Sequence, residues 1–350
     1  MGTGKTAFII GGTGQIGVAT ARHLAQLGWS VLVGHRGAHE GDPALAELDV
    51  TTVRIDRDDT ESLLPLAEGH DLVLDAVAYE PKHAEQLAQL EGLVGSIVVI
   101  STGAVYRDAD GRDLDTATNE DAFPRFPYPI DEDQPTIVDG APTYGVLKAE
   151  LERALLDAPE LPVSILRPGA VHGPFSEALR EWYFVKRVRD RRERVVLAYE
   201  GLSRFSPTST AAIAELTRLC AESPGKRVLN VADDDVSVTD IARAVFHAMG
   251  HDAELVPVPG APARGVGSTP WSTPSPIVLS TRRATDELGF APATYRDAVV
   301  DDVEWIVDVA DGAKRRQASW RTLFPHLVRR YGADAWFDYA AEDELLASRG

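Results

Sequence analysis

Tyr144 and Lys148, four residues apart, are the side chains whose types and spacing point most directly to chemistry. Residues so spaced project from one face of a helix, so the phenol and the ammonium become neighbours. A nearby cation favours phenolate and draws a tyrosine pKa from about 10 toward neutrality, which makes Tyr144 usable as a general acid and base. Tyr-x-x-x-Lys recurs by chance, so its surroundings decide. Thr102 lies in Ile100-Ser101-Thr102-Gly103-Ala104-Val105-Tyr106 and closes an apolar run. That is the carboxyl edge of a strand, where open α/β sheets bind ligands.

A second constellation is Gly11-Gly12-Thr13-Gly14-Gln15-Ile16-Gly17. Gly11 permits a tight turn, Gly14 lets backbone N–H groups approach a pyrophosphate, and Gly17 lets a helix pack close to a sheet. The helix start then adds a partial positive charge. After a buried strand and at the head of a βαβ series, Gly11–Gly17 predicts a dinucleotide site, Thr13, Gln15 and Ile16 included. The competing reading is a merely tight strand–helix turn. At the end of the second strand an acidic residue suits an NAD ribose, and an arginine suits the 2′-phosphate of NADP. Gly34-His35-Arg36-Gly37 stands there, with Arg36 nineteen residues beyond Gly17. A guanidinium fits a phosphate, so NADP is expected, with NAD as the alternative. Asp56 is a candidate acceptor for the adenine amino group, or a loop cap. Gly4-Lys5-Thr6 imitates the end of a P-loop without the upstream glycine and strand that motif needs.

These groups need a scaffold. Ala7–Gly11, Ser30–Gly34, Thr52–Asp56, Asp71–Val77, Ser96–Ser101, Val163–Leu166 and Arg227–Val231 read as short apolar strands. Helical patterns such as Ile16–Leu27 and Thr143–Leu156 separate them. Continuous apolar strands alternating with helices predict an α/β fold with a doubly wound parallel sheet. Residues 107–142 break the rhythm with five prolines and ten acidic residues. Phe123, Phe126 and Tyr128 give that segment something to bury, so a lid is expected. Pro257–Pro276 reads as a surface connector and Tyr295–Val309 as a helix. Trp320, Leu323, Phe324, Leu327 and Tyr331 recur at helical spacing and should pack on something.

Composition narrows the class of protein. The 350 residues are 44% hydrophobic and 25% charged, as in an ordinary globular chain. Lys+Arg total 35 against Asp+Glu 54, a formal net charge of -19. Such a surface repels phosphate backbones and anionic lipid, which excludes nucleic acid and membranes as first expectations. The single cysteine, Cys220, suits a reducing compartment. The run Ala7–Ile10 is too short for a signal peptide, and no window reaches the roughly 20 apolar residues of a membrane helix. A cytoplasmic protein acting on a small molecule, with no metal, is expected. Asp233-Asp234-Asp235 reads as a polar strand–helix turn rather than a metal site.

From Lys5 to Ala313 the chain resembles the extended short-chain dehydrogenase/reductase family, also called the NAD-dependent epimerase/dehydratase family. The resemblance rests on Gly11–Gly17, Asp75-Ala76-Val77-Ala78, Ser101–Tyr106, Tyr144–Lys148 and Leu166-Arg167-Pro168-Gly169-Ala170-Val171-His172-Gly173-Pro174, in that order. It implies a Rossmann fold in which Ala76, Val77 and Ala78 border the cofactor and Lys148 bonds the nicotinamide ribose. It further implies that Thr102 orients substrate, Tyr144 is the acid/base, and backbone after Pro168 meets the carboxamide. An NADP-binding domain over residues 5–174 and 202–250 is expected, with a smaller, discontinuous substrate domain over 175–201 and 251–313. A helical extension over 314–350 follows. The implied activity is NADP(H)-dependent hydride transfer at a carbinol or carbonyl carbon of a sugar-like or other small molecule. An epimerase that oxidises and re-reduces one carbon would use the same residues. A nucleotide-sensing or RNA-associated protein is the non-catalytic alternative. The family often forms a homodimer through a four-helix bundle, here the helix after Pro81 and the Tyr144 helix.

Departures from the family pattern matter. Family dehydratases carry Asp-Glu directly after the threonine, and Gly103-Ala104 stands here, which argues against dehydration. His172 holds a position that is often tyrosine and is a candidate substrate contact, with a loop-bonding histidine as the alternative. Arg204 matches a place where relatives meet substrate phosphate. Lys186–Arg194 packs six basic residues into nine, which fits either a phosphate site or a solvated helix face.

Overall fold

The apolar runs become a seven-stranded parallel sheet whose five inner strands are bonded on both edges and covered on both faces. Its strands are β1 (Thr6–Ile10), β2 (Ser30–His35), β3 (Val50–Arg54), β4 (Leu72–Asp75), β5 (Ser96–Ile100), β6 (Val163–Pro168) and β7 (Arg227–Val231). Their spatial order is β7-β6-β5-β4-β1-β2-β3. The order reverses at β1, so β1 and β4 diverge into the crevice where such sheets take ligands. This computed structural model describes residues 4–37, 43–315, 318–332 and 336–349. No helix among them is long and apolar enough to cross a membrane.

Among the strand boundaries that differ from expectation, those of β3 and β4 have local reasons. β3 begins at Val50, before Thr52, because its register is set by pairing with β2, Val31 opposite Val50. It is an edge strand with mostly exposed or half-buried side chains, so its composition says little. β4 stops at Asp75 because the Asp75 carboxylate accepts from the Val77 and Ala78 amides (3.0 and 2.7 Å) and turns the chain.

Helices α1 (Gln15–Gln26), α2 (Thr60–Ala67), α3 (Pro81–Ala88) and α4 (Tyr144–Asp157) provide the crossovers in the first half of the chain. One face of the sheet packs Ile9, Val31, Leu74, Val98 and Leu229 with Leu24 and Ile213. The other packs Phe8, Val73, Ile97 and Ile165 with Leu63, Leu87 and Leu151. The chain divides into two compact units. The first comprises Met1–Val171, Thr210–Ala232 and Leu279–Pro292, and the second His172–Ser209, Asp233–Val278 and Ala293–Gly350. Residues 233–250, expected with the dinucleotide domain, fall in the second unit, and 279–292, expected with the substrate domain, fall in the first.

Residues 107–142 form no helix or regular strand, yet they are anchored within the first unit. Arg107 N–H donates to the Pro135 carbonyl and Ile137 N–H to that of Val105, while Ile130 and Ile137 are buried. Asp108 accepts from the amides of Asp110, Arg112 and Arg125 and tightens the loop internally.

The second unit gathers α5 (Trp182–Arg189), α7 (Val238–Ala248) and α9 (Tyr295–Arg315), with α6 (Thr210–Glu222) and α8 (Arg282–Leu288) belonging to the first unit. Its C-terminal helices are α10 (Trp320–Leu323), α11 (Pro325–Tyr331) and α12 (Tyr339–Ser348). Phe324 and Leu327 are buried in the core of this unit with Trp182, Tyr183 and Trp336, and Trp320 and Leu323 pack against it. The side chain of Tyr331 lies outside the described residues.

The basic segment Lys186–Arg194 serves this packing. Arg187 donates to the Trp336 carbonyl (2.8 Å), Arg189 to Asp311 (2.6 Å), and Arg192 is paired with Asp343. Arg187, Arg189 and Arg192 are met by acidic groups of α9 and α12, Lys186 by Asp190 and Arg194 by Glu254.

Candidate functional site

Carbonyl Gly34 O at the end of β2 accepts from both Gly11 and Gly12 N–H (3.0 and 3.2 Å), which folds the glycine turn against the sheet. Gly11 sits at φ +82°, and a Cβ there would lie 2.5 Å from Val77 Cγ1. At Gly17 a Cβ would meet the Gly11 carbonyl oxygen at 2.4 Å and the Gly12 Cα at 2.5 Å, backbone atoms that cannot swing aside. The α1 start is left without a side-chain cap. In front of it lies a pocket of about 310 Å³, lined among others by Gly11, Thr13, Gly14, Arg36, Asp56 and Val77. A glycine cradle and an uncapped helix start opening on that pocket fit the pyrophosphate of a dinucleotide.

Arg36 stands at the pocket wall, and no carboxylate ends β2. Asp56 also lines it, two residues beyond the end of β3, while one of its oxygens accepts from Asp58 N–H (3.0 Å). Sequence reasoning missed Arg57, Asp58 and His83 on this wall. His83 Nδ1 accepts from the amides of Tyr79 and Glu80, and its Nε2 lies 2.9 Å from Asp58 Oδ1. Burial pushes the His83 pKa down. Arg57 donates to the fully buried Asp75 at 2.6 Å and is also bonded to Gln86. Asp75 thus fixes both the Val77–Ala78 turn and the Arg57 wall.

Lys148 on α4 is 4% exposed. Its ammonium donates to the carbonyls of Ala78 (2.6 Å) and Ile100 (2.7 Å), tying the ends of β4 and β5 to the helix. Burial pushes its pKa down to about 8 against the pull of Asp75 and Glu152. The Lys148 Nζ stands 6.0 Å from the centre of the Tyr144 ring, and that ring is 40% exposed. Thr102 lies two residues past Ile100, and its Oγ1 accepts from Ala104 N–H at 3.1 Å. Gly145 lets the start of α4 approach the turn after Thr102, since a Cβ there would lie 2.6 Å from the Ala104 carbonyl. Gly145 escaped the sequence reading, where only its flanking tyrosine drew notice. Ala76, Val77 and Ala78 form the turn that Lys148 and Asp75 hold, and Pro168 ends β6.

Under this helix start lies a closed polar network. Arg167 donates to Glu152 through Nε (3.0 Å) and to the Tyr106 hydroxyl (3.0 Å), and Tyr106 donates to Asn230 (2.7 Å). Burial raises the Tyr106 pKa to about 12, which keeps it a neutral donor.

The structure places two expected substrate contacts, His172 and Arg204, against partners within the protein. His172 is 1% exposed, and its Nε2 is held 2.8 Å from Asp233 Oδ2, so the ring faces the interior of the second unit instead of a substrate. Arg204 engages Asp235 through Nε (3.0 Å), so its guanidinium is paired within the protein. Asp233 also accepts from the Ser209 amide and hydroxyl, and Asp234 from the Tyr295 amide. The aspartate triplet is a structural turn.

The chain belongs to the NAD dependent epimerase/dehydratase family, whose model matches residues 7–257. Members of this class are nicotinamide-dependent enzymes, and the chain is one of them by that match. Among solved structures it resembles the Bordetella bronchiseptica enzyme WbmH in complex with NAD+, at 21% identity and TM-score 0.62, covering 87% of this chain and 99% of that one. It is also similar to UDP-glucuronic acid 4-epimerase from Bacillus cereus in complex with NAD, at 16% identity and TM-score 0.61 over 87% and 99%. A third is dTDP-glucose 4,6-dehydratase from Bacillus anthracis in complex with NAD, at 16% identity and TM-score 0.62 over 88% and 98%. No curated protein matches by sequence.

Proposed function

We propose that the protein is an NADP(H)-dependent oxidoreductase acting at a carbinol or carbonyl carbon of a sugar-like or other small molecule. The observation that carries the cofactor choice is Arg36 on the wall of the glycine-turn pocket, with no carboxylate at the end of β2. Gly11, Thr13, Gly14, Gln15, Ile16 and Gly17 would hold the pyrophosphate, and Asp56 the adenine. Ala76, Val77, Ala78, Lys148 and backbone after Pro168 would hold the nicotinamide half. When bound, the nicotinamide supplies or accepts the hydride.

The chain's own groups handle the proton and the orientation. Tyr144 gives the substrate oxygen its proton in reduction and takes it back in oxidation. Lys148, fixed by two carbonyls, keeps its charge beside the phenol and supports a phenolate. The Thr102 hydroxyl can donate to the substrate oxygen while its own oxygen accepts from Ala104. In this reading the first unit holds the cofactor, the second contributes to substrate binding, and the protein works as a cytoplasmic homodimer built on α3 and α4. The basic segment Lys186–Arg194 is engaged by carboxylates, which weighs against its serving a diphosphate substrate.

An epimerase is the second reading, favoured by the NAD-bound 4-epimerase among the structural neighbours. Identifying the cofactor released on denaturation, together with NADPH oxidation across a panel of ketones and keto-sugars, separates the two. A reductase consumes NADPH stoichiometrically with product. An epimerase releases tightly held NAD and shows no net oxidation. Light scattering in solution tests the dimer.

A further inference from the structure

His172 and Glu181, nine residues apart in one stretch of the second unit, meet Asp302 from another stretch in its interior. His172 ends the strand Ala170–His172, Glu181 precedes α5, and Asp302 lies in α9. They are 1%, 3% and 0% exposed. One ligand atom from each lies within 4.8 Å of the others. His172 Nδ1 stands 3.9 Å from Asp302 Oδ2 and has no hydrogen-bond partner, although it is fully enclosed. The Asp302 carboxyl faces the Glu181 carboxyl and the Gly173 amide, although neither of its oxygens closes a hydrogen bond of normal geometry. Buried nitrogen and oxygen atoms left this way are costly, so their convergence needs a cause.

Around these atoms the arrangement is that of a supported ligand set. The other nitrogen of His172 is engaged by Asp233, itself fixed by the Ser209 amide and hydroxyl. With a proton on Nε2, this leaves the Nδ1 lone pair aimed at the cluster, the usual way a carboxylate orients a metal-binding imidazole. Glu181 is oriented by the Tyr295 hydroxyl at 3.2 Å. Among the described residues, His172 is the only basic side chain paired with Asp233 or Asp302. Three buried carboxylates against one imidazole leave room for a positive charge.

We propose that His172, Glu181 and Asp302 form a structural site for one first-row divalent cation, zinc or manganese. One imidazole and two carboxylates suit such an ion better than magnesium or calcium, which favour all-oxygen sets. Bonds of about 2.1 Å at tetrahedral angles set ligand atoms roughly 3.4 Å apart, so side chains now within 4.8 Å of one another close by up to about 1.4 Å on binding. The ion would pin the Glu181 turn and α9 to the strand ending at His172. Because the site is enclosed, loading accompanies folding.

The test is elemental analysis of the full chain produced in medium supplemented with zinc or manganese. Thermal unfolding after refolding with each ion, with magnesium, or with chelator completes it. The proposal predicts about one ion per chain, retained by the folded protein against chelator, and lost by at least about tenfold in Asp302→Asn and Glu181→Gln. It also predicts a Tm raised by zinc or manganese over chelator and not by magnesium. If either variant misfolds, the metal content and ion-dependent Tm of the unaltered chain still decide. Less than about a tenth of an ion per chain with a Tm indifferent to all ions overturns the proposal and leaves the cluster held by protons. Equal metal in wild type and folded variants also overturns it.

Discussion

Arg36 and Lys148 carry opposite lessons about single residues. Strand spacing alone locates Arg36, and the structure puts it on the wall of the glycine-turn pocket. Arg36→Ser should weaken NADPH binding about tenfold to a hundredfold, roughly 1.4–2.8 kcal/mol, and leave NADH binding within about twofold. Titration of both cofactors by fluorescence checks this, and an equal loss for both would contradict it. Lys148 was readable as a neighbour of Tyr144, but its two carbonyl partners and its depressed pKa were not, because Ala78 and Ile100 lie 70 and 48 residues away. With a folded pKa of about 8 below the unfolded value of about 10.4, the folded state releases its proton first. The unfolded chain therefore binds more protons between those pH values, and stability contributed by Lys148 rises with pH across that window. The charge that supports Tyr144 is lost over the same window, so activity should fall above about pH 8. A lysine Cε resonance titrating near pH 8, absent from Lys148→Met, is the expected NMR signature.

Elements show where the reading of spacing stops. The strand–turn–helix around Gly11–Gly17 is local, and every steric demand in it comes from residues that can be counted along the chain. Gly17→Ala would drive a Cβ into the Gly11 carbonyl. It should cost about 1–3 kcal/mol in urea unfolding and abolish measurable NADPH binding, and unchanged binding would refute the tight-turn account. Asp75 is different. Its turn with Val77 and Ala78 is local, but its pairing with Arg57 depends on strand order, which no single segment encodes. Asp75→Ala leaves that guanidinium buried with its carboxylate gone, and a loss of about 3–5 kcal/mol is expected. The same limit explains His172. Its position in the motif suggested a substrate contact, yet its partners Asp233 and Asp302 lie 61 and 130 positions further on. The anchors of the segment 107–142 are backbone bonds, which its prolines and acidic residues do not reveal.

At the scale of the molecule, the doubly wound sheet follows from apolar runs alternating with helices, whereas the second unit draws on three separated stretches with no sequence signature for their assembly. The C-terminal helices belong to that unit's core. Removing residues 316–350 takes away Phe324, Leu327 and Trp336 and strips Arg187 and Arg192 of partners. Truncated protein should bind a hydrophobic dye and lose the unfolding transition of the second unit, and an unchanged melt would contradict this assignment. The account as a whole rests on Tyr144 as the proton carrier beside a bound nicotinamide, and one comparison tests it directly. NADPH affinity and carbonyl-dependent NADPH oxidation are measured on wild type and Tyr144→Phe from the same preparation. We predict turnover reduced by at least about a thousandfold with the dissociation constant within about twofold. Equal turnover in both proteins, or loss of NADPH binding in the variant, would contradict it.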